Sequence, residues 1–429
     1  MISFAATGDS FITRRLPDGD PDAEALAALI GRADFRFTNL ETTLRRDEGF
    51  PSAQSGGTWS SAAPEVLEDL RRYGFNVAAW ANNHTLDYSY GALHSTAEAL
   101  DRYGFLHAGA GRHLAEAGAI RYLETPGGRV ALIAATSTFH ESWAAGAQRG
   151  DVQGRPGVNP LRFTTRYHVS REELDALRKI AETSQINAVH KLRVKEGFAL
   201  PDAEGVVRLG NDLFCPTENG VSGAVTAPHQ GDLKRLLASV GEAKRQANQV
   251  IVSIHAHEMK GEAKDEPADF LQTFSRACID HGAHAVIGHG PHLLRGVEIH
   301  AGCPIFYSLG NFIFQSETVA ALPADFYAQY GLSAEENTAD ALDARSKGDT
   351  RGFVTNPKIW ASVVACWEME GRELKKLEFH PVSLGFGQPR FTRGWPRLTN
   401  DTTILEELRA LSLPMGTDLK IENGVARLR

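Results

Sequence analysis

The chain has 429 residues, of which 42% are hydrophobic and 23% are charged, and its formal net charge is -8. This length can bury a large core, the composition is that of a soluble globular protein, and the net charge argues against a nucleic-acid-binding surface over the whole molecule. Four cysteines without a CxxC pair disfavour a zinc-thiolate site and require no disulfide framework. We expect them to be small buried thiols.

The first 136 residues alternate predicted strands with predicted helices. Apolar runs predict strands over 2–6, 35–37, 75–80, 105–108 and 130–135. Start and stop signals predict helices over 22–31, 63–73, 88–103 and, briefly, near Leu114.

The alternation breaks between residues 139 and 228. The strong signal there is a helix over 170–183, where Ser170 and Glu173 have the spacing of a capping box. We interpret 139–228 as an insertion or lid within a single domain spanning 1–429. Segments inserted over the carboxyl edge of a sheet commonly supply specificity walls.

The remaining chain resumes the α/β pattern. Its predicted elements are helices over 230–248 and 267–282, strands over 250–254 and near Ala285, Gly296 and Ile305, and a hairpin of 359–369 with 373–381. Residues 315–357 are interpreted as an acidic, partly mobile loop insertion. Residues 386–429 are interpreted as a C-terminal tail with one helix over 402–412.

Six short polar motifs each follow a predicted strand, at residues 7–9, 38–41, 81–87, 255–258, 288–292 and 309–311. Their Asp, Glu, Asn and His side chains are ligands for hard and borderline divalent metals. Because the carboxyl ends of successive strands converge on one edge of an α/β sheet, we expect a site there.

Several polar and aromatic residues near these motifs have simpler interpretations. Asp87 is expected to cap the following helix. The basic pairs at 14–15 and 45–46 are interpreted as solvated loop charge, with attraction of an anionic substrate as the alternative. Trp59 and Trp143 are either packed against the body or walls of a substrate cleft.

The motifs resemble those of the CapA family of bacterial capsule or poly-γ-glutamate biosynthesis proteins, within the calcineurin-like metallophosphoesterase superfamily. The residues that match are Gly8-Asp9, Asn39-Leu40-Glu41, Ala81-Asn82-Asn83-His84 with Asp87, Ser253-Ile254-His255, Gly288-His289 with Pro291-His292, and Ser308-Leu309-Gly310-Asn311-Phe312. The resemblance implies a four-layer α/β/β/α sandwich, here with a large insertion, and a divalent metal ion such as Mn, Ca, Zn or Fe.

The chain departs from the superfamily pattern at several metal positions. Phe11 replaces the histidine of the usual first motif, Asn39 and Glu41 stand where a bridging aspartate is usual, and His289 and His292 are three residues apart instead of two. Gly290 lies where the CapA family often has another histidine. Since a two-metal clamp needs a full ligand set, these departures favour one ion over two.

The resemblance also implies roles for individual residues. Glu41, Asn83, His255 and His289 match the positions that would hold the retained ion, and Asn39 and His257 are further potential ligands. Asp9 and His292 match the positions of the lost ion, and we expect them to face each other across the cavity as an acid/base pair. His84 would position or protonate a leaving oxygen, and Asn311 would orient a ligand by hydrogen bonding.

Three functions follow from this interpretation. The first is epimerisation, L to D, at a Cα of a ribosomally made precursor peptide, as in CapA-like enzymes of lasso-peptide maturation. The second is metal-dependent hydrolysis of a phosphoester or of a γ-glutamyl or other amide bond, and the third is a non-catalytic role in capsule or polyglutamate assembly. Without a leader-like or membrane-spanning segment, the sequence predicts a cytoplasmic protein whose partner is a peptide substrate, with neither nucleic acid nor membrane.

Overall fold

A computed structural model of the protein describes residues 1–217, 220–333 and 335–429. Its strands, in chain order, are β1 Ile2–Phe11, β2 Phe35–Leu40, β3 Thr43–Leu44, β4 Ser61–Ala62, β5 Val77–Ala79, β6 Leu106–Ala108, β7 Ala110–Gly111, β8 Arg121–Thr125, β9 Gly128–Thr136, β10 Gly157–Val158, β11 Phe163–Val169, β12 Val207–Leu209, β13 Asp212–Pro216, β14 Gly223–Pro228, β15 Gln249–His255, β16 Met259–Lys260, β17 Ala263–Pro267, β18 Ala285–His289, β19 Leu294–His300, β20 Cys303–Leu309, β21 Asn311–Phe314, β22 Ala361–Glu370, β23 Glu373–Ser383, β24 Arg397–Leu398, β25 Leu419–Glu422 and β26 Val425–Leu428.

The α-helices are α1 Pro21–Ile30, α2 Val66–Arg72, α3 Ser89–Arg102, α4 Leu114–Ala117, α5 Arg171–Ser184, α6 Ala188–Lys195, α7 Gln230–Gln246, α8 Asp269–His281, α9 Ala324–Gln329, α10 Thr338–Ser346 and α11 Thr403–Ser412. Short 3₁₀ helices cover Glu141–Trp143, Phe353–Thr355, Pro357–Trp360 and Leu413–Met415. In the described part of the chain, no helix combines the length and the apolar character needed to cross a membrane.

Two large sheets carry the fold. One has the strand order β25-β26-β23-β22-β1-β2-β5-β6, with β21 beside β1 and β24 beside β23; the other has the order β19-β20-β18-β15-β9-β8. In the first sheet β1, β2, β5 and β6 are parallel, and in the second β9, β15, β18 and β20 are parallel. Every residue of β15 and β18 is buried, as expected for interior parallel strands covered on both faces.

The main core lies between the two sheets. Trp367 on β22 stacks on Phe4 at 4.9 Å and meets Phe306 of β20, in the other sheet, at 5.1 Å. Helices α1 to α3 bury apolar faces against the outer side of the first sheet, and α7 and α8 pack on the second. The expected four-layer α/β/β/α sandwich is therefore confirmed.

The regions outside this sandwich differ from their sequence-based interpretation. The 386–429 segment is not a loose tail, because β26 pairs with β23 and extends the first sheet, while α11 packs on β19. The 315–357 segment folds into α9 and α10 over a small core that includes Phe326 and Trp59. The helix predicted over 402–412 is present as α11.

Within 139–228, residues 163–217 and 220–228 form a separate small unit. Strands β12, β13, β11 and β14 make a four-stranded sheet, accompanied by α5 and α6. The predicted capping box at Ser170 and Glu173 is present at the start of α5. The unit packs on α8, where Phe163 stacks on Phe270 at 4.4 Å.

A close approach between β1 and the turn before β21 brings the first strand to the site. Asp9 N donates to Gly310 O at 3.1 Å, and a Cβ on Gly8 would lie only 1.8 Å from that same oxygen. We expect Gly8→Ala to lower the free energy of unfolding by about 3 kcal/mol, since backbone on both sides must move. Urea unfolding measures this change.

A matched control is Gly241→Ala in α7, where an added Cβ meets nothing within 4 Å. That substitution should be neutral or stabilising by up to about 1 kcal/mol, because alanine favours helix. Equal unfolding midpoints for Gly8→Ala and the parent protein would contradict the packing described.

Candidate metal centre and its cavity

The polar motifs meet at the carboxyl edges of both sheets. Asp9 lies near the end of β1 and Glu41 directly follows β2, whereas His255 and His289 are the last residues of β15 and β18. All four side chains are fully buried. These side chains therefore meet at the carboxyl ends of their strands, as the sequence predicts.

One group of potential ligands consists of Asp9, His255 and His289. Asp9 Oδ1 lies 3.5 Å from His289 Nδ1 and 3.7 Å from His255 Nδ1. The two Nδ1 atoms are 3.0 Å apart, so at most one of them carries a proton. Ser253 Oγ contacts His289 Nε2 at 2.8 Å and fixes the ring so that Nδ1 faces the group.

A second, adjoining group consists of Glu41, His257 and His292. Glu41 lies 4.0 Å from His257 Nε2 and 3.8 Å from His292 Nδ1. The groups meet at His255, whose Nε2 lies 3.6 Å from Glu41 Oε1 and 3.0 Å from His257 Nε2. The described residues thus offer two sets of three ligands, not the single set that the missing motif residues favoured.

The membership of these sets also differs from the predicted one. Asp9 belongs with His255 and His289, because Gly290 N donates to its Oδ2 at 2.9 Å and draws it toward β18. His292 belongs with Glu41. Asn39 is in neither set: its Nδ2 donates to Asp9 Oδ1 at 2.8 Å, so it positions the aspartate.

Gly290 has a backbone reason for not being a histidine. Its φ is +119°, which a residue with a side chain adopts only with strain. An added Cβ would also lie 3.0 Å from Ala256 N and 3.0 Å from His257 Cδ2. His257 therefore fills the space into which a side chain at 290 would project.

Unpartnered buried oxygens show that the cluster fits a cation. Both carboxylate oxygens of Glu41 and Oδ1 of Asn83 are buried without a hydrogen-bond partner among the described residues. Such atoms are rare in folded proteins because desolvation leaves them uncompensated. A divalent ion held by carboxylate, amide and imidazole donors would supply the missing partner.

The protonation states favour the same occupant. Burial raises the pKa of Asp9 to about 7 and that of Glu41 well above its usual value. Burial also lowers the pKa of His289 to about 3 and that of His255 well below its usual value. The imidazoles are neutral at neutral pH, with lone pairs available for a metal, and too little positive charge lies near Asp9 and Glu41 to offset their burial.

Metal removal is therefore expected to destabilise the protein. Saturating Mn²⁺ should raise the free energy of unfolding of chelator-treated protein by about 3 kcal/mol, the linkage expected at a hundred times the dissociation constant. Thermal unfolding with and without the ion, followed by circular dichroism, measures the shift. If the unfolding midpoint with Mn²⁺, with Zn²⁺ and with Fe²⁺ is in each case the same as without any ion, a cation site is contradicted.

A cavity of about 270 Å³ opens beside the cluster. Its floor includes two imidazoles, His84 and His292, together with Phe11 and Phe314. Its upper wall comes from Gly56, Gly57 and Thr58 and from residues 345–346 and 351–354. Because His292 both lines this cavity and belongs to the second ligand group, a substrate in the cavity would lie next to the buried ligands.

His84 is held by a buried carboxylate. Its Nδ1 lies 2.7 Å from Asp87 Oδ2, which also accepts a hydrogen bond from Ser60 N at 2.7 Å. The other nitrogen, Nε2, faces Gly56, since a Cβ added there would lie 2.7 Å from it. Asp87 is thus not the helix cap that was predicted; α3 begins after Tyr88 without a side-chain cap.

His292 is held in a strained backbone conformation by Asn311. Its φ is +61°, unusual for a residue other than glycine. Asn311 Nδ2 donates to the carbonyls of His292 and Ile359, so its Oδ1 accepts from His292 Nδ1 at 2.9 Å. The Nε2 atom of His292 is then unprotonated, and the predicted orienting role of Asn311 acts on this ring.

Asp9 does not face the cavity. The residue has 0% relative exposure, is absent from the cavity wall, and has both oxygens hydrogen-bonded. Its Oδ2 lies 3.8 Å from His292 Nδ1. The two groups are therefore neighbours in this structure, and their action as an acid/base pair on a substrate stays a prediction.

The cavity wall also differs from the prediction. None of the residues lining it comes from 139–228; apart from Phe11, His84, His292 and Phe314, they come from 315–357 and the loop at 56–58. Trp59 packs with Phe326 and Trp143 lies in the outer core, so neither forms this wall. Arg345 and Arg351 were missed because no motif marks them.

The basic pairs near the early motifs do not face the site. Arg15 pairs with Asp69 at 2.7 Å, and Arg46 pairs with Glu65. Arg14 and Arg45 lie over the rings of Trp395 and Tyr88. Their interpretation as loop charge, not substrate attraction, agrees with these contacts.

Comparison with known proteins adds independent findings. Residues 3–316 match the model of a family described as "Bacterial capsule synthesis protein PGA_cap". The chain is 36% identical over 444 residues to "Uncharacterized protein y4sH" of Sinorhizobium fredii, covering 100% of this chain and 93% of the relative. It is 23% identical over 254 residues to "Capsule biosynthesis protein CapA" of Bacillus anthracis, covering 59% of this chain and 44% of the relative.

A solved structure is also similar. It is described as a "Putative 5'-Nucleotidase from Staphylococcus aureus in complex with alpha-ketoglutarate", with 11% identity and a TM-score of 0.38. The match covers 95% of this chain but 58% of that one. A TM-score this low supports no inference about the site.

Proposed function

The chain belongs to the bacterial capsule synthesis protein PGA_cap family, and from its site we propose that it is a metal-dependent enzyme that uses histidine acid–base chemistry. The family resemblance read from the motifs is thereby confirmed. The observation that carries the proposal is the Asp87–His84 pair, which presents His84 Nε2 to the cavity beside the unpartnered oxygens of Glu41 and Asn83.

The residues that would hold the metal are Asp9, His255 and His289 in one group and Glu41, His257 and His292 in the other, and the buried, unpartnered Oδ1 of Asn83 is a further potential ligand. A bound divalent ion would polarise a carbonyl or phosphoryl oxygen of the substrate. Four imidazoles suit Mn, Fe or Zn better than Ca, which takes oxygen ligands.

His84 is the proposed proton carrier. Asp87 Oδ2 accepts from Nδ1, which sets the tautomer and leaves Nε2 to accept or return a proton in the cavity. A carboxylate behind the ring also stabilises the imidazolium that forms. Proton transfer to a leaving oxygen or nitrogen is the step that this arrangement serves.

Hydrolysis of a phosphoester, or of a γ-glutamyl or other amide bond, is the reaction that this arrangement supports best. Hydrolysis consumes one water molecule, whose oxygen attacks the phosphorus or carbonyl carbon as the bond to the leaving atom breaks, and His84 can pass the water's proton to that leaving oxygen or nitrogen. The test is a panel of phosphomonoesters, phosphodiesters and γ-glutamyl amides with the Mn²⁺-loaded protein. Turnover that is lost in His84→Gln supports the proposal; no turnover of any member would count against it.

Epimerisation of a peptide is the second candidate, and one observation favours it. His84 and His292 line the same cavity, each with one ring nitrogen not engaged by its Asp87 or Asn311 partner. Two such groups could remove and return a Cα proton if the metal is held by Asp9, His255 and His289 and not by His292. Incubation with candidate precursor peptides in deuterated water tests this; no mass gain and no D-residue would argue against it.

A non-catalytic role in polymer assembly predicts a different pattern. Protein that binds no metal, and whose function in cells survives Asp9→Ala, would indicate that role. The same measurements therefore separate it from both reactions.

A further inference from the structure

Two arginines line the cavity that holds His84 and His292. Arg345 lies in the last turn of the helix α10, and Arg351 follows in the turn after it. They come from the 315–357 segment, which supplies none of the potential metal ligands. Because they line the same cavity as the two imidazoles, they can contact a molecule that enters it.

The fold holds both side chains in place. Arg345 Nη1 donates to Thr58 Oγ1, and its guanidinium lies 5.7 Å from the ring centroid of Phe326. Arg351 Nε donates to the carbonyl oxygen of Arg345 at 2.8 Å. The backbone N of Arg351 bonds to Ser346 O at 3.0 Å, which fixes the turn between them.

Neighbouring arginines are neutralised, whereas these two are not. Arg393 binds Glu317 Oε2 at 2.6 Å and Asp349 at 3.2 Å. Arg390 binds Asp343 at 2.5 Å and Asp349 at 3.3 Å. Across the described ranges of the chain, no carboxylate oxygen lies within 4.0 Å of Arg345 or Arg351.

The one carboxylate on the cavity wall does not compensate them. Glu317 lines the cavity, but its Oε2 already accepts two hydrogen bonds from Arg393. The wall therefore presents two guanidinium groups that no described carboxylate pairs with directly, since Glu317 acts on Arg345 only from beyond 4.0 Å. Guanidinium groups recognise carboxylate and phosphate oxygens through paired N–H donors.

We propose that Arg345 and Arg351 form an anion subsite that holds a carboxylate or phosphate group of the substrate beside His84 and His292. This inference rests on the proposed function in one respect: it assumes that the substrate binds in the cavity lined by His84. The subsite restricts the substrate class to molecules whose anionic group and reacting atom fit together in this one cavity.

The test measures binding, not turnover. Isothermal titration calorimetry of the Mn²⁺-loaded protein uses two probes, inorganic phosphate and succinate. Arg351→Gln and Arg345→Gln are each expected to weaken binding of the recognised probe by about tenfold or more, the loss of a charge-assisted hydrogen bond. Arg390→Gln is the matched control, since that guanidinium already has two carboxylate partners and should bind the probe as the parent does.

The outcomes are distinct. Binding of phosphate alone indicates a phosphoester substrate, binding of succinate alone indicates a carboxylate substrate, and loss in the two variants supports the subsite in either case. Unchanged binding in Arg351→Gln, or no binding of either probe by the parent protein, overturns it. If Arg345→Gln does not fold, Arg351→Gln decides alone, because that side chain is exposed.

Because the experiment measures binding, the subsite proposal and the proposed function can be contradicted independently of each other. A protein that binds phosphate through these arginines but turns over no substrate retains the subsite and loses the proposed function. A protein that hydrolyses a substrate equally well in all three arginine variants retains the function and loses the subsite.

Discussion

Replacing His84 with glutamine is expected to lower turnover by about 10²–10⁴-fold, the usual contribution of a positioned acid–base group. Glutamine keeps a polar side chain of similar reach but cannot carry the proton, and it breaks the contact with Asp87 at 2.7 Å. Metal content should not change, because His84 belongs to neither ligand group. The measurements are kcat on the substrate that the parent protein turns over and metal analysis of both proteins.

His281→Gln is the control for this substitution. His281 is exposed near the end of α8, and its ring contacts a helix carbonyl at 2.8 Å. It should retain parental kcat. A His84→Gln protein with more than about a tenth of the parental rate would contradict the assigned role.

The effect of Glu41→Gln on the free energy of unfolding is expected to change sign when metal is added. The substitution should stabilise the metal-free protein and destabilise the metal-loaded protein relative to the parent. At neutral pH, above the pKa of an unfolded glutamate, the buried Glu41 has no partner and a pKa well above its usual value, so folding must either protonate it or bury its charge, at a cost. Glutamine removes that cost, so the metal-free variant should be more stable than metal-free parent by about 1 kcal/mol. With saturating Mn²⁺ the parent gains about 3 kcal/mol that the variant does not.

Urea unfolding of both proteins, with chelator and with Mn²⁺, measures this crossover. Glu298→Gln is the matched control, since Glu298 is also buried but is bonded to Arg276 at 2.8 Å and Tyr307 at 2.7 Å. It should destabilise the protein to the same extent with and without the ion. A Glu41→Gln protein that is less stable than the parent under both conditions would indicate a structural role only.

The place of the site could be predicted from the sequence, because it depends on a local pattern. Asp9, Glu41, His255 and His289 all end or directly follow buried strands, and parallel strands bring their carboxyl ends to one edge. The sandwich follows from the same strands, whose continuous apolar runs require cover on both faces.

The grouping of the ligands could not be predicted in the same way. It depends on contacts between distant residues, such as the Gly290 N–H that draws Asp9 toward β18, and on the positive φ of His292. Asp87 was assigned to a helix cap because it lies next to a helix start, whereas its carboxylate turns to His84. Arg345 and Arg351 lie far from any motif, and only the folding of 315–357 brings them to the cavity.

The most direct test of the metal centre is elemental analysis of the purified protein after exposure to Mn²⁺, Fe²⁺ and Zn²⁺ and removal of unbound ions. The two ligand groups predict at least about one ion per chain in the parent, and its loss in a Glu41→Ala, His255→Ala double variant that remains folded. A parent protein that retains none of these ions, or a double variant that retains as much as the parent, would contradict a metal centre at this site.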